Sequence, residues 1–102
     1  MTQASQVTDH PQQGRFQLDV DGQTAFIEYR TVGNAVMMTH TEVPEQLEGQ
    51  GVGTRLVKGA LDLVRARGQH LIPMCPFVVA YLKRHHEEVD LVDPAQRGAF
   101  GL

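Results

Sequence analysis

Leu47-Glu48-Gly49-Gln50-Gly51-Val52-Gly53-Thr54 follows a strand-like segment and runs straight into the longest amphipathic pattern of the chain. Glycines at alternate positions leave the backbone without Cβ atoms where the chain must turn, so its N–H groups can converge on an anion. A helix beginning there adds unpaired N–H groups and the positive end of its dipole. Taken alone, the stretch fits a phosphate cradle and a plain strand-to-helix turn equally well.

Downstream of the glycines the period is helical. Val52, Leu56, Val57, Ala60, Leu61, Leu63 and Val64 fall within half the circumference at about 100° per residue, and Thr54, Arg55, Lys58, Asp62 and Arg65 take the other half. Gly68 is a natural stop. His70 to Met74 is short, apolar and strand-length, with Pro73 placing it near an edge or a bulge. Cys75-Pro76 then precedes a second, shorter helix over Phe77 to His85, with proline suited to the first helical position and basic residues to the C-terminal end. Val89 to Val92 has the composition of a short terminal strand, and Asp93-Pro94 starts a polar tail over residues 93–102.

Upstream the period is two. Phe16, Leu18 and Val20 alternate with Gln17 and Asp19, Asp21-Gly22 favours a tight hairpin turn, and Thr24 to Arg30 reads as the returning strand. After Gly33-Asn34 a third strand runs from Ala35 to Val43, where Pro44 interrupts it. Residues 1–14 hold little to bury and read as a loose arm. The order is strand, strand, strand, helix, strand, helix. It predicts an α+β (mixed α/β) domain over residues 15–92: an antiparallel meander, then a right-handed strand-helix-strand crossover, in one mixed sheet with helices packed on it.

The totals agree with one domain. At 102 residues, 41% hydrophobic and 21% charged, the chain can bury a single core and is not compositionally disordered. A formal charge of −3 gives no global attraction to nucleic acid or an anionic membrane surface. No apolar run spans a bilayer and the N-terminus has no hydrophobic signal region, so a cytoplasmic protein is expected. The single cysteine, Cys75, rules out an intramolecular disulfide and agrees with a reducing compartment.

Val43-Pro44 followed by Glu45 to Leu56 resembles the acetyl-CoA-binding motif of the GNAT N-acetyltransferases, in which a splayed strand end leads through an Arg/Gln-x-x-Gly-x-Gly/Ala loop into the main helix. Gly51 and Gly53 hold the two glycine places, and Glu48 stands where the family usually has Arg or Gln. Cys75-Pro76-Phe77 after the fourth strand resembles the short, single-domain branch of GNAT-like proteins. The resemblance implies that the diphosphate of acetyl-CoA, the cosubstrate, meets backbone N–H groups from Gln50 through Gly51, Val52 and Gly53 to Thr54. It further implies that the pantetheine arm lies between the third strand, near Val43, and the fourth. Glu48 beside a diphosphate would weaken binding unless its side chain turns outward or meets a basic partner such as Arg55.

Acyl transfer to an amine needs a neutral amine, a polarised thioester and a proton for the leaving thiolate. Tyr81 resembles the family tyrosine that protonates the departing sulfur; otherwise it is a core tyrosine with one wet end. Glu42 and His40 are two apart on one strand, hence on one face, and either could take a proton from the amine. Cys75, as N-cap of the second helix, faces the positive end of a dipole and could act as nucleophile or base, or simply be a small buried hydrophobe. His85 and His86 are better explained by a favourable helix C-terminus than by a metal site.

The leading expectation is therefore a small N-acyltransferase carrying acetyl from acetyl-CoA directly to an amine acceptor. A non-catalytic coenzyme A-binding module and a plain interaction domain are the alternatives. Because the Asp21-Gly22 hairpin takes the place of the helices that usually enclose the acceptor in this superfamily, the acceptor side is expected to be open, or completed by a homodimer or a protein partner.

Overall fold

A computed structural model describes residues 6–102. Its strands are β1 (Thr8–His10), β2 (Arg15–Val20), β3 (Gln23–Val32), β4 (Ala35–Glu42) and β5 (His70–Pro73), and its helices are α1 (Val52–Ala66), α2 (Pro76–Arg84) and the single turn α3 (Pro94–Arg97). The five strands form one sheet in the order β1-β2-β3-β4-β5, antiparallel except for the β4–β5 pair. This is the mixed α+β architecture expected, with α1 as the crossover between the two parallel strands.

Each part follows from local chemistry. The β2–β3 turn uses Asp21 and Gly22 at φ of 52° and 77°, the positive pair that a two-residue hairpin needs to match strand twist. Pairing places Phe16 opposite Ile27, Leu18 opposite Ala25 and Val36 opposite Leu71, so these buried side chains share one face of the sheet. Val52, Leu56, Val57, Ala60, Leu61 and Val64 of α1 are buried against them, and Val78, Tyr81 and Leu82 of α2 join the same core. α1 ends where Gln69 N–H turns back to the Val64 carbonyl at 3.1 Å. On the other face, Gln17 lies opposite Phe26, Phe26 opposite Glu42, Glu28 opposite His40 and Met37 opposite Ile72.

Two expectations are corrected. The arm is not loose over its described part: β1 pairs with β2, and Asp9 accepts hydrogen bonds from Tyr29 Oη at 2.6 Å and Arg67 at 2.7 Å. Val7 also packs against α1 at Gly59, where any Cβ would collide with it. Residues 1–5 of that arm lie outside the described residues. Val89 to Val92 is not a strand: His86–Leu91 forms 3-10 turns, and only Val92 makes a single parallel bridge, to Leu71. The cause is Glu88, which turns inward to meet Tyr81 and Arg65. In the polar tail, Asp93 caps α3 through Ala95 N–H at 2.9 Å and Leu102 packs on the core. No helix among the described residues is long and apolar enough to cross a membrane.

Candidate active site

A cleft opens where β4 and β5 part. Glu28 faces His40 and Tyr29 faces Met38, which leaves Thr39 as an extra residue on β4, and such a bulge bends its strand. β5 follows only the straight part, pairing His70 to Pro73 with Ala35 to Met38. Pro73 has no N–H with which to extend a ladder, and the chain turns off into α2. The backbone tie at this point runs from Cys75 N–H to the Met38 carbonyl at 3.0 Å. Beyond it Thr39 to Glu42 have no partner on the β5 side.

At the mouth of this cleft lies a cavity of about 390 Å³ lined by the glycine loop. Gly51 sits at the helix N-cap with φ of 75°, and the first helical hydrogen bond runs from Arg55 N–H to the Gly51 carbonyl at 3.1 Å. The N–H groups of Val52, Gly53 and Thr54 therefore precede the helical ladder and are left to an external acceptor. Of the six residues expected to hold the cofactor, Val43, Gly51, Val52, Gly53 and Thr54 line the cavity. Gln50 does not; its exposed side chain donates to the Gln46 carbonyl at 3.1 Å.

The two central glycines serve different ends. A Cβ on Gly51 would meet nothing, so that position is set by backbone conformation and leaves open space above the loop. A Cβ on Gly53 would lie 2.5 Å from Cζ of Phe77, so that position is set by packing of the α2 aromatic on the first turn of α1. The cation facing the loop is Arg84, which lines the same cavity as Glu48, whereas Arg55 lines a different one. Arg84 is seven residues after Phe77, two turns along one face of α2. Free N–H groups, open space and an arginine make a donor set that fits a diphosphate.

The expected catalytic residues do not form one cluster. Cys75 is only 4% exposed at the N-cap of α2. Its side chain makes no cap hydrogen bond, and Sγ lies 3.3 Å from Oγ1 of Thr41 on β4. Glu42 follows Thr41 but points to the opposite face, where its Oε1 is 3.1 Å from His40 Nε2 in an exposed pair. Tyr81 lines a cavity of about 650 Å³ bordered by α1 and α2, which Cys75 and Glu42 do not line. Its hydroxyl donates to Oε2 of Glu88 at 3.0 Å, and its ring stacks on His85 with centroids 4.1 Å apart. Burial, and then the hydrogen bond to Glu88, hold the Tyr81 pKa well above that of a free tyrosine. Glu88, 4% exposed, also meets Arg65 at 3.2 Å and Lys58 at 3.5 Å, so Lys58 is engaged there and with Asp62.

With this geometry in view, the comparison with known proteins is direct. A family model of GCN5-related N-acetyltransferases matches residues 15–91. The chain belongs to the GCN5-related N-acetyltransferase family. This GCN5-related N-acetyltransferase is also similar to a solution NMR structure of a GCN5-like protein from Staphylococcus aureus, at 27% identity and a TM-score of 0.66, covering 86% of this chain and 87% of that one. No curated protein matches it. Members of the family generally use acetyl-CoA.

Proposed function

We propose that this protein binds acetyl-CoA at the glycine loop and transfers its acetyl group directly to an amine. The observation that carries the proposal is the cavity over Gly51, where three N–H groups ahead of the α1 ladder and the Arg84 side chain face one space. Gly51, Val52, Gly53 and Thr54 hold the diphosphate end, and the arm of the coenzyme passes Val43 and follows the gap between β4 and β5 toward Thr41 and Cys75. Phe77, 41% exposed, covers the first turn of α1 and limits water at that end.

The chemistry divides between the two faces of β4. Thr41 and Cys75 pack on the core side, where a direct transfer gives the thiol a place beside the acyl group rather than a covalent role. Glu42 with His40 sits on the uncovered side and takes the proton that an incoming ammonium must lose. The amine nitrogen then bonds to the acyl carbon, the carbon–sulfur bond breaks, and the proton released by nitrogen neutralises the thiolate through solvent. Tyr81, bound to Glu88 and with its proton held more tightly than usual, acts in this account by holding α2 against α1. The single free cysteine suits a cytoplasmic, reducing setting.

The test is a calorimetric titration of the full chain with acetyl-CoA, followed by acetyl transfer to a panel of amines. Saturable binding that Gly51→Glu abolishes, together with transfer, supports the proposal; no binding at millimolar acetyl-CoA refutes it. Binding without transfer to any amine favours a coenzyme A-binding module, a second reading supported by the exposure of His40 and Glu42.

A further inference from the structure

We propose that Thr41 and Cys75 set the length of the acyl group that the protein carries, by closing the β4–β5 gap at its inner end; this rests on the acetyltransferase reading above. Thr41 owes its place to the bulge. In a regular strand, residues three apart point to opposite faces. Here Thr41 pairs with Ile27 and Met38 with Tyr29, so the extra residue Thr39 brings Met38 and Thr41 onto the same face, the one on which Ile27 and Met38 are fully buried.

Cys75 meets Thr41 from the opposite wall. The Cys75 N–H returns to the Met38 carbonyl at 3.0 Å, which ends the gap, and its Sγ lies 3.3 Å from Thr41 Oγ1. The two side chains therefore touch across the gap, between the end that opens on the glycine loop and the point where the sheet closes again. A thioester arriving from the loop meets this contact first.

Behind the contact the space is filled. Met38, Val78 and Leu82 are fully buried, and Cys75 nearly so. Neither the cavity of about 390 Å³ at the loop nor that of about 650 Å³ is lined by Met38, Thr41, Cys75, Val78 or Leu82. A core packed to native density takes extra methylenes only by displacing its own side chains. A chain longer than acetyl must then push Sγ and the Thr41 side chain apart, or leave by the other face. There Thr39, His40 and Glu42 are exposed, so a longer chain would remain hydrated and would stand where the amine must enter. Length is penalised in both directions.

The experiment is a calorimetric titration of the full chain with coenzyme A and with acetyl-, propionyl-, butyryl- and hexanoyl-CoA. It is run on the wild type, Thr41→Ala, Cys75→Ala and Thr41→Val, with thermal unfolding of each to show that it is folded. The wild type is expected to bind butyryl-CoA about tenfold or more weaker than acetyl-CoA, because a filled wall discriminates at about this level per methylene. Thr41→Ala and Cys75→Ala each remove part of the wall and are expected to lower the butyryl-to-acetyl ratio of Kd by about tenfold. Thr41→Val keeps the volume and loses only the hydroxyl, so it should keep the wild-type ratio. Because the ratio is taken within one protein, a general loss of stability does not move it. Wild-type binding of butyryl- or hexanoyl-CoA within about twofold of acetyl-CoA overturns the proposal, and so does a wild-type ratio in both folded alanine variants. Failure of the wild type to bind coenzyme A or any of its thioesters overturns the underlying acetyltransferase reading instead.

Discussion

Gly53→Ala separates the packing role of the glycine loop from its backbone role. The added methyl would sit 2.5 Å from Cζ of Phe77, far inside normal contact, so the ring must move. Overpacking costs about 1 to 3 kcal/mol, and because Phe77 is 41% exposed the ring can swing outward, which puts the cost near the lower end. Alanine also recovers part of the roughly 1 kcal/mol by which glycine disfavours a helix. The net loss is about 1 kcal/mol, a fall in Tm of roughly 5 °C for a domain of this size. The decisive assay is a double-mutant cycle with Phe77→Ala, read by urea unfolding. Once the ring is gone the clash is gone, so Gly53→Ala should turn from destabilising to stabilising by several tenths of a kcal/mol. The same sign and size of effect in both backgrounds would refute the claim that Phe77 dictates glycine at this position.

Arg84→Glu should weaken acetyl-CoA binding by about tenfold or more, since it replaces the cation facing the loop and adds to Glu48, while acetyl-pantetheine, which lacks the phosphates, should bind unchanged. Calorimetry with both ligands checks this. Tyr29 is pushed up to about 12 by burial and then by Asp9, so the folded state favours its protonated form. That contribution is complete below the unfolded value of about 10 and is lost as pH rises from there toward the folded value, so urea midpoints should fall over this window in the wild type and much less in Tyr29→Phe. Glu88→Ala leaves the Tyr81 hydroxyl without its acceptor and should cost about 1 to 3 kcal/mol, limited because Arg65 keeps Asp90 and Lys58 keeps Asp62. Tyr81→Phe tests the structural role of that hydroxyl: stability should fall and the pH profile of transfer should keep its shape.

The parts of the fold that were legible in the sequence are those set by local periodicity. Alternation marked β2, the turn residues Asp21-Gly22, Gly33-Asn34 and Pro44 bounded β3 and β4, the helical stripe marked α1, and Pro76 after Cys75 marked the start of α2. What local pattern could not supply was pairing at a distance. Asp9 looks like a polar arm residue until Tyr29 and Arg67, far along the chain, are found on its carboxylate. Glu88 looks like a solvated charge, yet it is buried among Tyr81, Arg65 and Lys58, and it pulls the segment before Val92 into turns instead of a strand. At the candidate site the glycine loop was readable because its function rests on backbone. Arg84 was not, because basic residues at a helix end read equally well as partners of the dipole. Its two-turn spacing from Phe77 was the available signal, and it gained meaning only once Phe77 was seen against Gly53.

The central claim is that acetyl-CoA sits on the first turn of α1. Titrating the ¹⁵N-labelled full chain with acetyl-CoA and following every backbone amide by NMR tests it most directly. The account predicts that Val52, Gly53 and Thr54 show the largest, saturable shifts, with smaller ones at Thr41 and Cys75. Shifts centred on Lys58, Tyr81 and Glu88 with the loop amides unmoved, or no shifts at saturating ligand, would contradict it.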